Sequence, residues 1–203
     1  MTWGVAVTSM AALKVLPLVV AMSYLIPATN AQVPFLLSCP PVETKADFKP
    51  DKYLGLWYEA ERYPAVFEIG AKCVTATYTM NPNGTIDVLN ENINSVSGIK
   101  SSIEGYATIV DPDDPAKLAV RFPSLPVAFD APYWVVDTDY DKYAVVWSCA
   151  DLTIISTRNA WILTRDRNPT VEVMEQAYAA VDKAGISRAL FTLTDQKNCS
   201  ETH

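Results

Sequence analysis

A chain of 203 residues, half of them hydrophobic, with 23 acidic against 16 basic side chains and a formal charge of −7, has the size of one domain around a single core and the wrong sign for a phosphate backbone. Nucleic acid is therefore not an expected partner. The only histidine is His203, the last residue, so a Ser-His-Asp or Cys-His centre and the usual histidine-bearing zinc site have no rigidly held imidazole to build on, and no metal ligand set is expected.

The first feature in chain order is an apolar run from Val15 to Leu25, preceded by Lys14 and followed by small residues. This is the pattern of a secretory signal peptide. The run is shorter than a membrane span, and Pro17 and Pro27 would disturb a long helix. Cleavage is expected after Ala31, although a cut after Ala28 also fits; removing residues 1–31 leaves 172 residues, 32–203, with 15 basic and 23 acidic side chains. The cysteines Cys39, Cys73, Cys149 and Cys199 all follow that segment. An even number in an exported chain points to two disulfides, with three pairings open. Two sequons, beginning at Asn83 and Asn198, are candidate glycan sites.

From residue 55 the chain breaks into short segments rich in Val, Ile, Thr, Tyr and Trp, divided by turn residues. That rhythm fits an antiparallel barrel or sandwich. Strands are expected near 55–63, 73–80, 85–91, 101–110, 116–122, 132–138, 142–149 and 158–165, with Asn83-Gly84 and Asp139-Tyr140-Asp141 as turns. Acidic runs such as Asp111-Pro112-Asp113-Asp114-Pro115 read as turns in water rather than as paired catalytic carboxylates. After Asn168-Pro169-Thr170 the residues Val171, Met174, Ala177, Tyr178 and Val181 recur at helical spacing until Gly185. Their stripe suits packing on a sheet, with a partner-binding helix as the rival. A short ninth strand is expected at 189–194.

Period-two alternation assigns faces. Val74, Ala76, Tyr78 and Met80 share one face, leaving Thr75, Thr77 and Thr79 in water; Ile86, Val88 and Asn90 group together, as do Leu118, Val120 and Phe122, and Trp161, Leu163 and Arg165. Asn90 and Arg165 stand on otherwise apolar faces, where an unpaired polar group costs about 1–3 kcal/mol. The alternation does not assign Trp134 or Trp147 to a face.

The order Gly55-x-Trp57, Thr138-Asp139-Tyr140, Arg165 resembles the three signature regions of the lipocalins. The segments KYLGLWYEAERYP, IEGYATIVDP, PAKLAVRF, APYWVVDTDYDKYAVVWSC, AWILTRDRNP and TDQKNC are similar to the apolipoprotein D-like branch of that family, with its insect and crustacean members, over nearly all of residues 32–203. The resemblance implies an all-β fold: an eight-stranded up-and-down antiparallel barrel with one C-terminal helix on its outer wall. It implies that Trp57 closes one end with Arg165 across its indole, that Thr138, Asp139 and Tyr140 form a closed-end hairpin, and that the disulfides are Cys39–Cys149 and Cys73–Cys199.

Function implied by the resemblance is a secreted, non-enzymatic carrier of a small hydrophobic ligand: a lipid, steroid, retinoid, carotenoid or bilin. Insect members include bilin-binding pigments, so a bound chromophore such as biliverdin or a carotenoid stays open, and no cofactor is required. The ligand is expected against Tyr78, Asn90 and Trp161, with Val88, Leu118, Val120 and Phe122 as walls; ordinary core packing is the plainer reading of the same residues. The apolar connection from Phe122 to Asp130, with Leu125, Val127 and Phe129, suits transient contact with a membrane or lipoprotein, or a lid. Rival functions are a lipocalin enzyme of the isomerase type, which would need a nucleophile in the pocket, and an extracellular recognition or signalling ligand. Oligomeric state is not legible.

Overall fold

The structure, a computed structural model, describes residues 33–36, 38–126, 129–152 and 155–199; the segment 1–31, Val127 and His203 lie outside the described residues. Eight antiparallel strands follow one another round a barrel: β2 (Gly55–Arg62), β3 (Ala71–Met80), β4 (Ile86–Asn94), β5 (Lys100–Ile109), β6 (Lys117–Arg121), β7 (Ala131–Thr138), β8 (Tyr143–Leu152) and β9 (Ile155–Thr164). Pairing of β9 with β2, from Tyr58↔Thr164 to Arg62↔Trp161, closes the ring and so removes the free edges an open sheet would carry. All eight expected strands are present, with ends shifted by up to three residues.

Three elements differ from expectation. A strand β1 (Val33–Leu36) pairs with the far half of β9; so short an edge strand, holding Pro34, carries little periodic signal. A one-turn helix α1 (Pro50–Tyr53) precedes β2. The expected ninth strand is a 3₁₀ turn (Arg188–Leu190) followed by only two paired residues, β10 (Thr192–Leu193). The reason lies in β2, whose first half pairs with β3 from Gly55 to Tyr58, whereas β10 pairs with Glu61 and Arg62 where β3 has departed.

The barrel carries two apolar layers, one on each side of its wall. Trp57, Tyr78, Ile86, Val88, Leu118, Val120, Val135, Val146 and Leu163 form the inner one. Helix α2 (Val171–Lys183) lies on the outer wall, where Ala177, Ala180 and Val181 cover Val145, Trp147, Ala160 and Ile162. Gly185 ends the helix with φ +69°, and Ile186 N–H reaches back to Val181 O at 3.0 Å, as a left-handed C-cap requires. Trp134 and Trp147 both belong to the outer layer. Val171 is exposed instead of continuing the helix stripe.

Register shifts reset the alternation at three places, one of them between Val135 and Asp137 of β7. Cys73, at φ +56°, shifts the β3–β4 register, and Thr75, expected in water, is buried. The C-terminal tail covers that stretch: Cys73 N–H donates to Asp195 O at 2.8 Å and Gln196 Nε2 to Val74 O at 2.8 Å. Met80, at the end of β3, is exposed rather than inward. In β2 the register slips between Glu59 and Glu61, so Ala60 joins the outer layer and Glu61 accepts the Tyr178 hydroxyl of α2. Arg62 is thereby turned inward. Disulfides Cys39–Cys149 and Cys73–Cys199, spanning 110 and 126 residues, tie the N-terminal arm to β8 and the tail to β3, the pairing implied by the resemblance.

Candidate functional site

One end of the barrel is sealed by side chains that the chain reversal at Gly55 brings together. Gly55 sits at φ +92°, and a Cβ there would lie 3.4 Å from Arg165 Nη1, so a side chain meets both strain and crowding. Trp57 is fully buried and donates its indole N–H to Tyr53 O at 2.8 Å. Arg165 follows the last residue of β9 and lays its guanidinium 3.7 Å from the Trp57 ring centre. The same guanidinium donates to Leu56 O at 2.7 Å, Leu54 O at 2.8 Å and Tyr140 O at 2.9 Å. Burial pushes its pKa down; the carbonyls and the ring face favour its charge. Beside it, Thr138 Oγ1 donates to Tyr143 O at 2.6 Å and accepts from Tyr140 N–H at 2.9 Å, while Asp139 Oδ1 accepts from the backbone of Lys142 at 2.8 Å and Tyr143 at 3.1 Å. These three residues build a tight hairpin.

Above this seal is a layer of phenols. Tyr133 Oη lies 2.8 Å from Tyr53 Oη and 2.7 Å from Tyr78 Oη. Burial raises all three pKa values, Tyr78 to about 12, so the hydroxyls stay protonated. Tyr78 and Leu118, with Tyr53, Ile86 and Tyr133, surround a void of about 10 Å³, barely one water's worth of space. Tyr78 thus belongs to a filled floor with its hydroxyl engaged.

Room for side-chain variety begins higher. Val88 and Val120 are buried in the inner wall, and Asn90, Phe122 and Trp161 are half-buried beyond them. The Asn90 amide makes no hydrogen bond among the described residues. Phe122 lies over Gly105, where a Cβ would come within 2.6 Å of its ring and 2.4 Å of Arg121 O. This glycine inside β5, which makes space for the ring, was open to detection as a strand-interior glycine.

Sequence reasoning also passed over a buried charged group in this half of the barrel. Arg62 Nη1 lies 2.5 Å from Glu59 Oε1 and 2.8 Å from Thr194 Oγ1; its Nη2 donates to Glu68 O at 2.9 Å and its Nε lies 2.6 Å from Glu68 Oε2. Glu68 comes from a 3₁₀ turn (Val66–Glu68) between β2 and β3. Burial pushes the Glu59 carboxyl up against the pull of Arg62 and Thr194. Burial, and then the Glu59 charge, push Glu68 up to about 8, opposed by Arg62 and the Trp161 N–H.

Outside the barrel, Leu125 and Phe129 are exposed, and the end of their loop is fixed by Asp130, whose carboxylate accepts from Arg121 Nε at 2.7 Å and Nη2 at 2.8 Å. Asn83 is exposed in the β3–β4 hairpin and Asn198 in the tail. A recess of about 620 Å³ at the closed end, between Tyr58 and the start of α2, is walled by Asp141, Lys142, Arg165, Asp166 and Arg167, a charged lining that offers little to an apolar ligand.

A family model described as a lipocalin-like domain matches residues 48–196. Apolipoprotein D of Macaca fascicularis is 38% identical over 186 residues, covering 89% of this chain and 94% of that protein. The Lazarillo protein of Schistocerca americana is 32% identical over 184 residues, 85% of each chain. Among solved structures, insecticyanin from the tobacco hornworm Manduca sexta aligns with a TM-score of 0.72 and 24% identity over 81% of this chain and 89% of that one.

Proposed function

The chain belongs to the lipocalin family, and on that premise we propose that it is a secreted carrier that takes one small, mostly apolar molecule into the open half of its barrel and performs no chemistry on it. The observation that carries this reading is the half-buried Asn90 amide, without a hydrogen bond among the described residues, set beyond the wall residues Val88 and Val120 and at the level of Phe122 and Trp161. Aromatic walls supply contact area and a lone amide orients one polar end of the ligand. Leu118 and Tyr78 support the site from below rather than touching the polar end.

Further support comes from the cysteines. Both disulfides suit an oxidising compartment, and they leave no thiol as the nucleophile a lipocalin enzyme of the isomerase type would need. Residues 1–31 act as the removed signal in this reading, and Asn83, on an exposed hairpin, is the better placed of the two sequons. Exposed Leu125 and Phe129 suit transient contact with a lipid surface during loading. The ligand's class extends from lipids to chromophores such as biliverdin or a carotenoid.

Titrating the protein with retinol, followed by tryptophan emission, tests the placement. Trp161→Phe is expected to lose the larger part of the quenching, and Asn90→Leu to weaken binding about tenfold, the value of one hydrogen bond to a desolvated amide. Unchanged quenching in Trp161→Phe would remove Trp161 from the pocket.

A further inference from the structure

The bulge in β2 sets Glu59 and Arg62 on the inner face, Arg62 opposite Trp161 of β9, and the 3₁₀ turn adds Glu68. Glu59, Arg62 and Glu68 have side chains only 4%, 11% and 15% exposed. Two carboxylates share one guanidinium, so that when both are ionised one negative charge is in surplus where water is scarce. All three guanidinium nitrogens are already directed at Glu59, Thr194 and Glu68.

Acceptors also outnumber donors. Asn159 Oδ1 has no hydrogen-bond donor although Asn159 is 2% exposed, while Glu68 Oε2 meets Arg62 Nε as an ion pair at 2.6 Å. Trp161 and Leu163 of β9 pack in the inner layer while Ala160 and Ile162 pack in the outer one, so Asn159 faces inward two residues before Trp161, the partner of Arg62 across the β2–β9 pairing. Buried acceptors without donors cost stability unless something else supplies the hydrogens.

Resting on the carrier reading above, we infer that the open half of the barrel contains a subsite for a ligand's ammonium group, formed by Glu59, Glu68 and Asn159 beside Arg62 and Trp161. An alkylammonium brings three N–H donors and the missing positive charge, and the Trp161 ring adds a cation–π surface. Its apolar body then lies toward Phe122 and Val88. A carboxylate ligand is disfavoured: it would find Arg62 engaged and a net negative charge facing it.

The subsite needs Glu68 ionised. The charged groups acting on that carboxyl are Glu59 and Arg62 of β2, with the Trp161 N–H of β9. Because its pKa is raised to about 8, protonation below that pH cancels the surplus charge, and ammonium affinity is expected to rise as the pH rises through 8.

Calorimetric titration with decylamine, decanol and decanoate, at a pH of about 8.5 and again about two units lower, decides the matter. At the higher pH decylamine is expected to bind about tenfold or more tightly than decanol, and decanoate more weakly than either. Glu68→Gln should bring decylamine down to the level of decanol and leave decanol unchanged, and the lower pH should narrow the preference in the unmutated protein. Equal binding of amine and alcohol, strongest binding of decanoate, or a Glu68→Gln variant that keeps the amine preference would overturn the subsite while the carrier stands. If the folded protein takes up none of the three, the carrier reading fails and the subsite with it.

Discussion

Replacing Trp57 by alanine is expected to cost about 3–5 kcal/mol of folding stability, the range for emptying a fully buried aromatic site. Trp57 is 0% exposed and packs against Tyr53 at 5.1 Å between ring centres as well as under Arg165. Truncation would also take the indole donor from the Tyr53 carbonyl, which keeps Arg165 Nη2 at 3.3 Å, and leave the guanidinium without its ring face. Arg165→Met keeps much of the bulk but withdraws the donors from Leu54 O, Leu56 O and Tyr140 O. A double-mutant cycle in urea should return a coupling of about 1–2 kcal/mol between residues 57 and 165. Additive effects within about 0.5 kcal/mol would mean that the stack does not hold the floor together.

Loss of either disulfide is the second large effect. With sequence separations of 110 and 126 between the paired cysteines, the chain-entropy account gives about 4–5 kcal/mol per bridge. Cys73→Ser with Cys199→Ser should act more locally as well as globally, because the tail it releases carries Thr194 and Gln196, which bond Glu59 Oε1 at 2.5 Å, Glu59 O at 3.0 Å and Val74 O at 2.8 Å. Hydrogen exchange is expected to rise first in the second half of β2 and the start of β3. Unaltered exchange there, with a midpoint within a few degrees of the unmutated protein, would contradict the tail's role.

How far the sequence reveals this molecule depends on which regularity holds locally. The inner wall from Ile86 to Asn90 and from Leu118 to Phe122 follows strict alternation, so its residues are legible without coordinates. Alternation fails at β2: counting from Trp57 sends Glu61 inward and Arg62 outward, and the bulge between Glu59 and Glu61 reverses both. That one extra residue hides the charged group from any periodic reading. Tyr78 was placed on the correct face, yet its hydroxyl partner Tyr133 lies 55 residues away, a contact no local pattern reports. The helix from Val171 is legible because its buried stripe and its glycine cap agree, whereas β1 and β10 are too short to carry a period. Gly105 shows the same limit, since its meaning depends on the Phe122 ring above it.

The barrel has a filled, sealed floor, and the proposed carrier function requires its mouth half to receive one ligand. Native mass spectrometry of the protein recovered from its own source, before and after incubation with a lipid extract, tests this most directly. One small molecule per chain, retained in the native spectrum and lost on denaturation, is the predicted result; a visible absorption band on the same sample would mark it as a chromophore. A folded chain that is recovered empty and stays empty after incubation would contradict the account.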